Sequence, residues 1–303
     1  MNTNQQLRQN QVSLPNIDLI ESSEQAFNDA FLRAAQILYQ QLEQIQSAIG
    51  VTQDFTKEPF NLAILGLFSK MCSNYYSYVL LEIQHDWIGS QFLSENLCEA
   101  AITLTYLLEE VDRALFYEYI SASVHQSRYL LSNIEEKLHK FPNHPDLLIL
   151  KEQLETFITK YQGHAAECPL TATDEAYLWG PQEADTTAKR GAMIGLNFLT
   201  NPARQITLRV MPASWLELQL SYFNSFAKSR TKAKPGTNFT ALRDAAHLCL
   251  HATRTFLEEV VNYQDVSRRE IKLWQQRLNE LYEWFYNAHH VYQLHCSATI
   301  QER

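Results

Sequence analysis

At 303 residues, 46% of them hydrophobic and 12% aromatic, the chain is long enough to bury a sizeable core and too apolar to stay disordered. Its 8 glycines and 9 prolines fall well short of the roughly twenty and fifteen that average usage would supply. With so few turn formers the chain must cross its core in long helices, and its net charge of -9 repels polyanions as a whole.

The first residues, Met1 to Asn16, lack a basic start followed by an apolar run. The purely apolar stretches, such as Leu62 to Leu65, are far shorter than the ~18 residues of a membrane span. A soluble, cytoplasmic protein with no membrane association is expected. The cysteines at 72, 98, 168, 249 and 296 are widely spaced with no Cys-x-x-Cys, which reads as buried thiols in a reducing compartment.

Helical periodicity begins near Ser22 and runs to about Ala48, with Gly50 to end it. Phe60 to Ile83 is apolar on nearly every side, so the pattern predicts a fully buried helix. A third helix is expected from about Gln91 to Glu109, and a fourth from Asp112 to Lys140 with one stripe through Phe116, Ile120, Val124, Leu131, Ile134 and Leu138. Phe141-Pro142-Asn143-His144-Pro145 stops that helix and starts a fifth, with Gly163 placed to end it after Gln162. Residues 163–212 are the least regular, with one short helix around Ala188 to Leu199. Capping-box spacing recurs at Ser214-Trp215-Leu216-Glu217 and at Ser267-Arg268-Arg269-Glu270, with a helix over Phe239 to Val261 between them.

This pattern predicts an all-α protein: an up-and-down bundle over 1–162, an irregular basic connection over 163–212, and C-terminal helices over 213–303 packing on the bundle as an additional layer. The aromatic set Trp274, Tyr282, Trp284, Phe285, Tyr286 and Tyr292 of the last helix offers more than one apolar face. A protein partner or a homo-oligomer is expected there.

Four constellations could carry chemistry. The first is a di-iron carboxylate set: Glu21 or Glu24, Glu82-x-x-His85, Glu95 and Glu99, and Glu136-x-x-His139. It fails on geometry, because Glu136 points roughly 165° and His139 roughly 105° from the centre of their helix's apolar stripe. The second is Asp244, His247 and His251, which share a helix face, but about 150° or more from that helix's apolar stripe, and so are expected on a solvated or partner-facing line. The pair His289-His290, followed by His295, is weaker, since adjacent residues diverge.

The third is the line Glu95, Glu99, Thr103, Tyr106 and Glu110. Facing inward, two carboxylates one turn apart would raise each other's pKa and could work as acid and base; facing outward, they form a wet face, which is the reading preferred here. The fourth is charge. Between Lys189 and Lys234 stand eight basic residues against Glu217 alone, a net of +7 that leaves -16 elsewhere. Arg190, Lys228, Arg230, Lys232 and Lys234 are the candidate anion-binding residues, although no aromatic within the 228–236 run offers a stacking platform. There is no Gly-x-Ser-x-Gly and no P-loop, and Gly191 and Gly195 lack the spacing of a dinucleotide fingerprint. No cofactor and no metal is assigned.

Phe92-Leu93-Ser94-Glu95-Asn96-Leu97-Cys98-Glu99-Ala100, then Leu107-Leu108, then Asp112-Arg113-Ala114-Leu115-Phe116-Tyr117-Glu118-Tyr119 resembles a large bacterial family of all-helical proteins of unknown function. The resemblance covers about residues 60 to 140 and implies Glu99 and Arg113 as positions of interest, with Glu95 standing where the family has arginine and Lys228 at the place of its late histidine. The family supplies no activity. Helical ribonuclease toxins, marked by Arg and His with four to six residues between them, are not matched: three residues separate Arg243 from His247 and seven separate it from His251. The expected function is therefore that of a non-enzymatic interaction or regulatory protein. A nucleic-acid-directed effector using 189–234 and a metal-dependent enzyme with a carboxylate/His site stand as the alternatives.

Overall fold

A computed structural model describes residues 13–17, 23–50, 58–109, 113–167, 187–196, 239–262 and 267–301. Eight helices occur among them: α1 (Glu24–Gly50), α2 (Pro59–Ile83), α3 (Trp87–Glu109), α4 (Ala114–Lys140), α5 (Pro145–Glu167), α6 (Thr187–Met193), α7 (Phe239–Val260) and α8 (Arg268–Gln301). The described residues contain no strand, so the all-α class holds. No described helix is long and apolar enough to cross a membrane. The basic run at 228–236 and the capping box at Ser214 lie outside the described residues.

The chain divides into two units, one of residues 1–105 with 201–303 and the other of residues 106–200. In the first, α1 packs on α2, α7 and α8, and α7 packs on α2 and α8. The reason lies in α1, capped by Ser23, whose hydroxyl accepts from the Ala26 amide at 3.2 Å. Its residues Phe27, Phe31, Ala34, Ala35, Leu38, Leu42, Ile45 and Ile49 recur every three or four positions and are all buried. Phe31 reaches three rings of the C-terminal helices: Phe239 at 5.2 Å, Trp284 at 5.4 Å and Phe285 at 6.1 Å between centroids. Phe68 of α2 stacks on Phe256 of α7 at 4.4 Å.

Several expectations change here. Helix α2 is not covered on all sides, since Leu62, Tyr76 and Leu80 are exposed along one line, and Tyr76 stacks on Tyr39 at 4.5 Å. Gly163 does not end α5, which continues to Glu167; its φ is not positive, so the left-handed cap that favours glycine is absent there. Gly195 does cap a helix, at φ +76. The Gly195 amide donates to Ala192 O at 3.2 Å and the Leu196 amide to Gly191 O at 2.8 Å, the two bonds of a Schellman end. The aromatics of α8 are mostly core: Trp274, Trp284 and Phe285 are buried, and only Tyr282 and Tyr286 are open to solvent among the six named above. Their size serves the join to α1 rather than an outer face.

In the second unit, α4 and α5 form a helical hairpin. The turn Phe141–His144 closes it, with the Phe141 amide donating to Lys137 O at 2.9 Å and the His144 amide to Phe141 O at 3.2 Å. Lys151 of α5 pairs with Glu135 of α4 at 3.1 Å.

Because Phe256 is wholly buried and stacked, Phe256→Ala is expected to lower unfolding stability by about 3–5 kcal/mol. Urea unfolding followed by far-UV circular dichroism measures it, and a loss below about 1 kcal/mol would show that the α2–α7 stack is not a core contact.

Candidate functional site

The richest grouping of titratable side chains lies between α7 and α8. On α7, Thr240, Arg243, Asp244, His247 and His251 follow one side of the helix; on α8, Tyr282 and His289 stand seven residues apart. Arg243 joins the two helices. Its Nη1 donates to His289 Nδ1 at 2.8 Å, and its Nε donates to Asp244 Oδ1 at 2.8 Å. Arginine has only donors, so His289 Nδ1 must carry the lone pair and Nε2 the proton. That proton points to Thr240 Oγ1, 3.1 Å away. Asp244 and His289 are both buried, which makes the arginine's charge the partner that permits a carboxylate there.

Burial also sets the charge state of the imidazoles. It pushes His247 down to about 4, with the Arg243 charge acting in the same direction and Asp244 against it. Burial lowers His289 and His251 as well, helped by Arg243 and Arg254 respectively. His247 stacks on the Tyr282 ring at 4.6 Å and hydrogen-bonds to the Tyr282 backbone, leaving its Nε2 buried with no hydrogen-bond partner. At neutral pH the grouping is thus one ion pair and a set of neutral rings. The polar line expected to be solvated or partner-facing is half covered, because Tyr282 and His289 of α8 close over it.

The other candidates are dispersed. Arg190 is buried and so does not serve as an open anion-binding cation, while Lys228, Arg230, Lys232 and Lys234 lie outside the described residues. Glu95 and Glu99 are exposed on α3, and Arg113 is exposed just before α4. Partial desolvation raises the Glu95 carboxyl. Thr103 and Tyr106, farther along the same line, are buried, so the line does not form one wet face. Glu82 is buried and accepts from Ser90 Oγ at 2.7 Å; burial pushes its carboxyl up and the Ser90 bond works against that. Its helical partner His85 sits in the α2–α3 turn at φ 58, exposed. Glu136 is exposed and paired with Lys140 at 3.4 Å. Among the described residues no three His, Cys, Asp or Glu side chains are placed to hold a metal ion. Cys72, Cys98 and Cys249 are not in disulfides; burial drives the Cys72 thiol up to about 12 and raises Cys249 too, which makes both poor nucleophiles.

Sequence reasoning missed Arg243, Thr240 and Tyr282 as members of the grouping. The available signal was the Tyr282–His289 spacing of seven beside the buried Leu278 and Phe285, which places both on the edge of the core face of α8. A shallow cleft of about 500 Å³ lies along a different line of α8, bounded by Trp284, Asn287, His290 and Val291 with Pro15, Asn16 and Ile17. The Trp284 indole donates to Pro15 O at 2.7 Å across it. No family model, no curated protein and no solved structure matches this chain.

Two outcomes follow from the Arg243 grouping. Arg243→Met removes the Arg243–Asp244 ion pair and is expected to lower stability in urea unfolding, while Asp244→Asn in the same background recovers part of the loss; no recovery would separate the two residues energetically. For pH, the sign comes from the depressed imidazoles. Between about 4 and the ordinary 6.5 the unfolded chain binds the His247 proton and the folded chain does not, so this stability is full above 6.5 and is lost as pH falls toward 4. The stability difference between about pH 7 and pH 5 should therefore shrink in His247→Gln, and an unchanged difference would contradict the assignment.

Proposed function

We propose that this chain is a non-enzymatic helical interaction protein whose contact surface is the α4–α5 hairpin. One observation carries the reading: Leu148, Ile149 and Leu150 stand consecutively exposed at 46%, 55% and 43% in the first turns of α5, with Phe141 exposed at 61% in the turn beside them. A run of exposed apolar residues works against solubility unless something covers it. Tyr129 and Leu130 of α4 are exposed as well, so apolar residues stand open on several sides of the hairpin rather than along one stripe.

Supporting this, the Arg243–His289 part of the polar grouping of α7 and α8 is satisfied internally. Arg243 has Asp244 and His289 as partners, and Thr240 Oγ1 accepts from His289 Nε2. A base whose lone pair is already occupied by a guanidinium is a fixed structural element rather than a proton acceptor. A nucleic-acid role gains no support from Arg190, which is buried.

If these residues serve binding, they do little for the fold. Ile149→Glu should shift unfolding stability by no more than about 0.5 kcal/mol. A photoactivated crosslinking residue at position 149 should form a covalent adduct in cells, heavier than the 35.1 kDa chain. The absence of any adduct at 149 would overturn the reading.

A further inference from the structure

We infer that residues 13–17 are an exchangeable strap, and that the cleft they border on α8 is a docking site for an extended peptide bearing a proline. Ser13, Leu14, Pro15 and Asn16 belong to no helix, yet Pro15 O accepts from the Trp284 indole at 2.7 Å, a contact between residues 269 apart in sequence. With Asn16 and Ile17, Pro15 forms one wall of the cleft of about 500 Å³, and Trp284, Asn287, His290 and Val291 form the other. This site lies outside the hairpin proposed above and does not depend on it.

The α8 wall is built to receive a carbonyl. Trp284 is buried, and its ring meets Phe31 and Phe285 edge-on, each at 5.4 Å between centroids. An indole nitrogen only donates, and when buried it needs an acceptor. The core rings, not the strap, fix where that donor stands, so it keeps its place when the strap leaves. A donor held in advance spares an incoming acceptor part of the ordering cost of binding.

The strap itself shows which chemistry this wall accepts. Ser13-Leu14-Pro15-Asn16-Ile17 carries no charge. Pro15 has no N–H to satisfy and a fixed φ, and Leu14 before it is biased to extended backbone, so a stiff segment presents the carbonyl. Aromatic grooves recognise proline-bearing extended peptides in the same way. A free peptide of this chemistry makes the contacts the strap makes, and the two differ in that the strap is tethered.

The strap holds its seat weakly. Ser13 and Asn16 are exposed, and Leu14, Pro15 and Ile17 are half-buried, the profile of a segment that opens locally while the helices stay folded. It leaves the cleft of about 500 Å³ unfilled, a volume within the range of ligand clefts. Val291 and Leu294, both exposed, continue the Trp284 side of α8. A longer or bulkier peptide gains apolar contacts there that the strap does not make, and that difference in affinity displaces the tethered competitor.

The indole N–H signals of the isotope-labelled full-length protein test this by nuclear magnetic resonance, the Trp284 signal being the one lost in Trp284→Phe. The probe is a peptide of the strap's own sequence, Ser-Leu-Pro-Asn-Ile, capped at both ends. Leu14→Ser/Ile17→Ser loosens the strap without altering α8, and Ile17→Ala is the milder variant should the pair lose helicity by far-UV circular dichroism. In the loosened chain a millimolar probe is expected to move the Trp284 signal, and the unaltered chain should need about tenfold more, because the strap occupies the site first. A Trp284 signal that the probe leaves unmoved in the loosened chain overturns the inference. So does an equal response in loosened and unaltered chains, or an equal response to a probe with alanine in place of its proline. Loss of helicity in both variants overturns it as well, since the strap would then be a part of the fold that cannot leave.

Discussion

The join between the first helix and the last two is the constraint on which the rest of the larger unit depends. Phe31 meets Phe239, Trp284 and Phe285, and Phe27 meets Tyr292 at 5.4 Å; these rings come from opposite ends of the sequence. Burying aromatic rings of this size outweighs the entropy of closing so long a chain, because closure entropy grows only with the logarithm of loop length while each ring removes a large apolar area from water. Once α1, α7 and α8 are fixed, α2 follows through the Phe68–Phe256 stack.

That packing decides what becomes of the polar line on α7. The core face of α7 must meet α1 and α2, so the line of Arg243, His247 and His251 is turned toward the flank, where α8 partly covers it. A charged arginine bridging Asp244 and His289 holds that flank. Burial accounts for the neutral imidazoles, and Tyr282 and His289 tie α8 to α7 through them.

Much of the architecture was legible because helices announce themselves by period. The starts at Pro145 and Ser267 and the stop before Phe141 follow from capping and proline chemistry alone, periodicity sets the first start near Ser22, and the Glu136 orientation could be read from the α4 stripe. The site was less legible. A wheel places Asp244, His247 and His251 opposite their own apolar stripe, but it says nothing about a neighbour 46 residues away in sequence, as His289 is from Arg243. The same limit applies to the aromatics of α8: periodicity shows a helix with two apolar faces, and only the position of Phe31 shows that Trp284 and Phe285 are used internally. Gly163 and Gly195 carry the same residue type, and only the backbone distinguishes a glycine inside a helix from one that ends it.

The larger unit is interrupted: its halves, 1–105 and 201–303, are separated by the hairpin unit. On a ribosome adding about 5–20 residues per second, the rings of α1 and α2 emerge well before Phe239, Phe256 and Trp284 exist. For many seconds Phe27, Phe31 and Phe68 have no native cover, so the larger unit closes only after synthesis has passed α8.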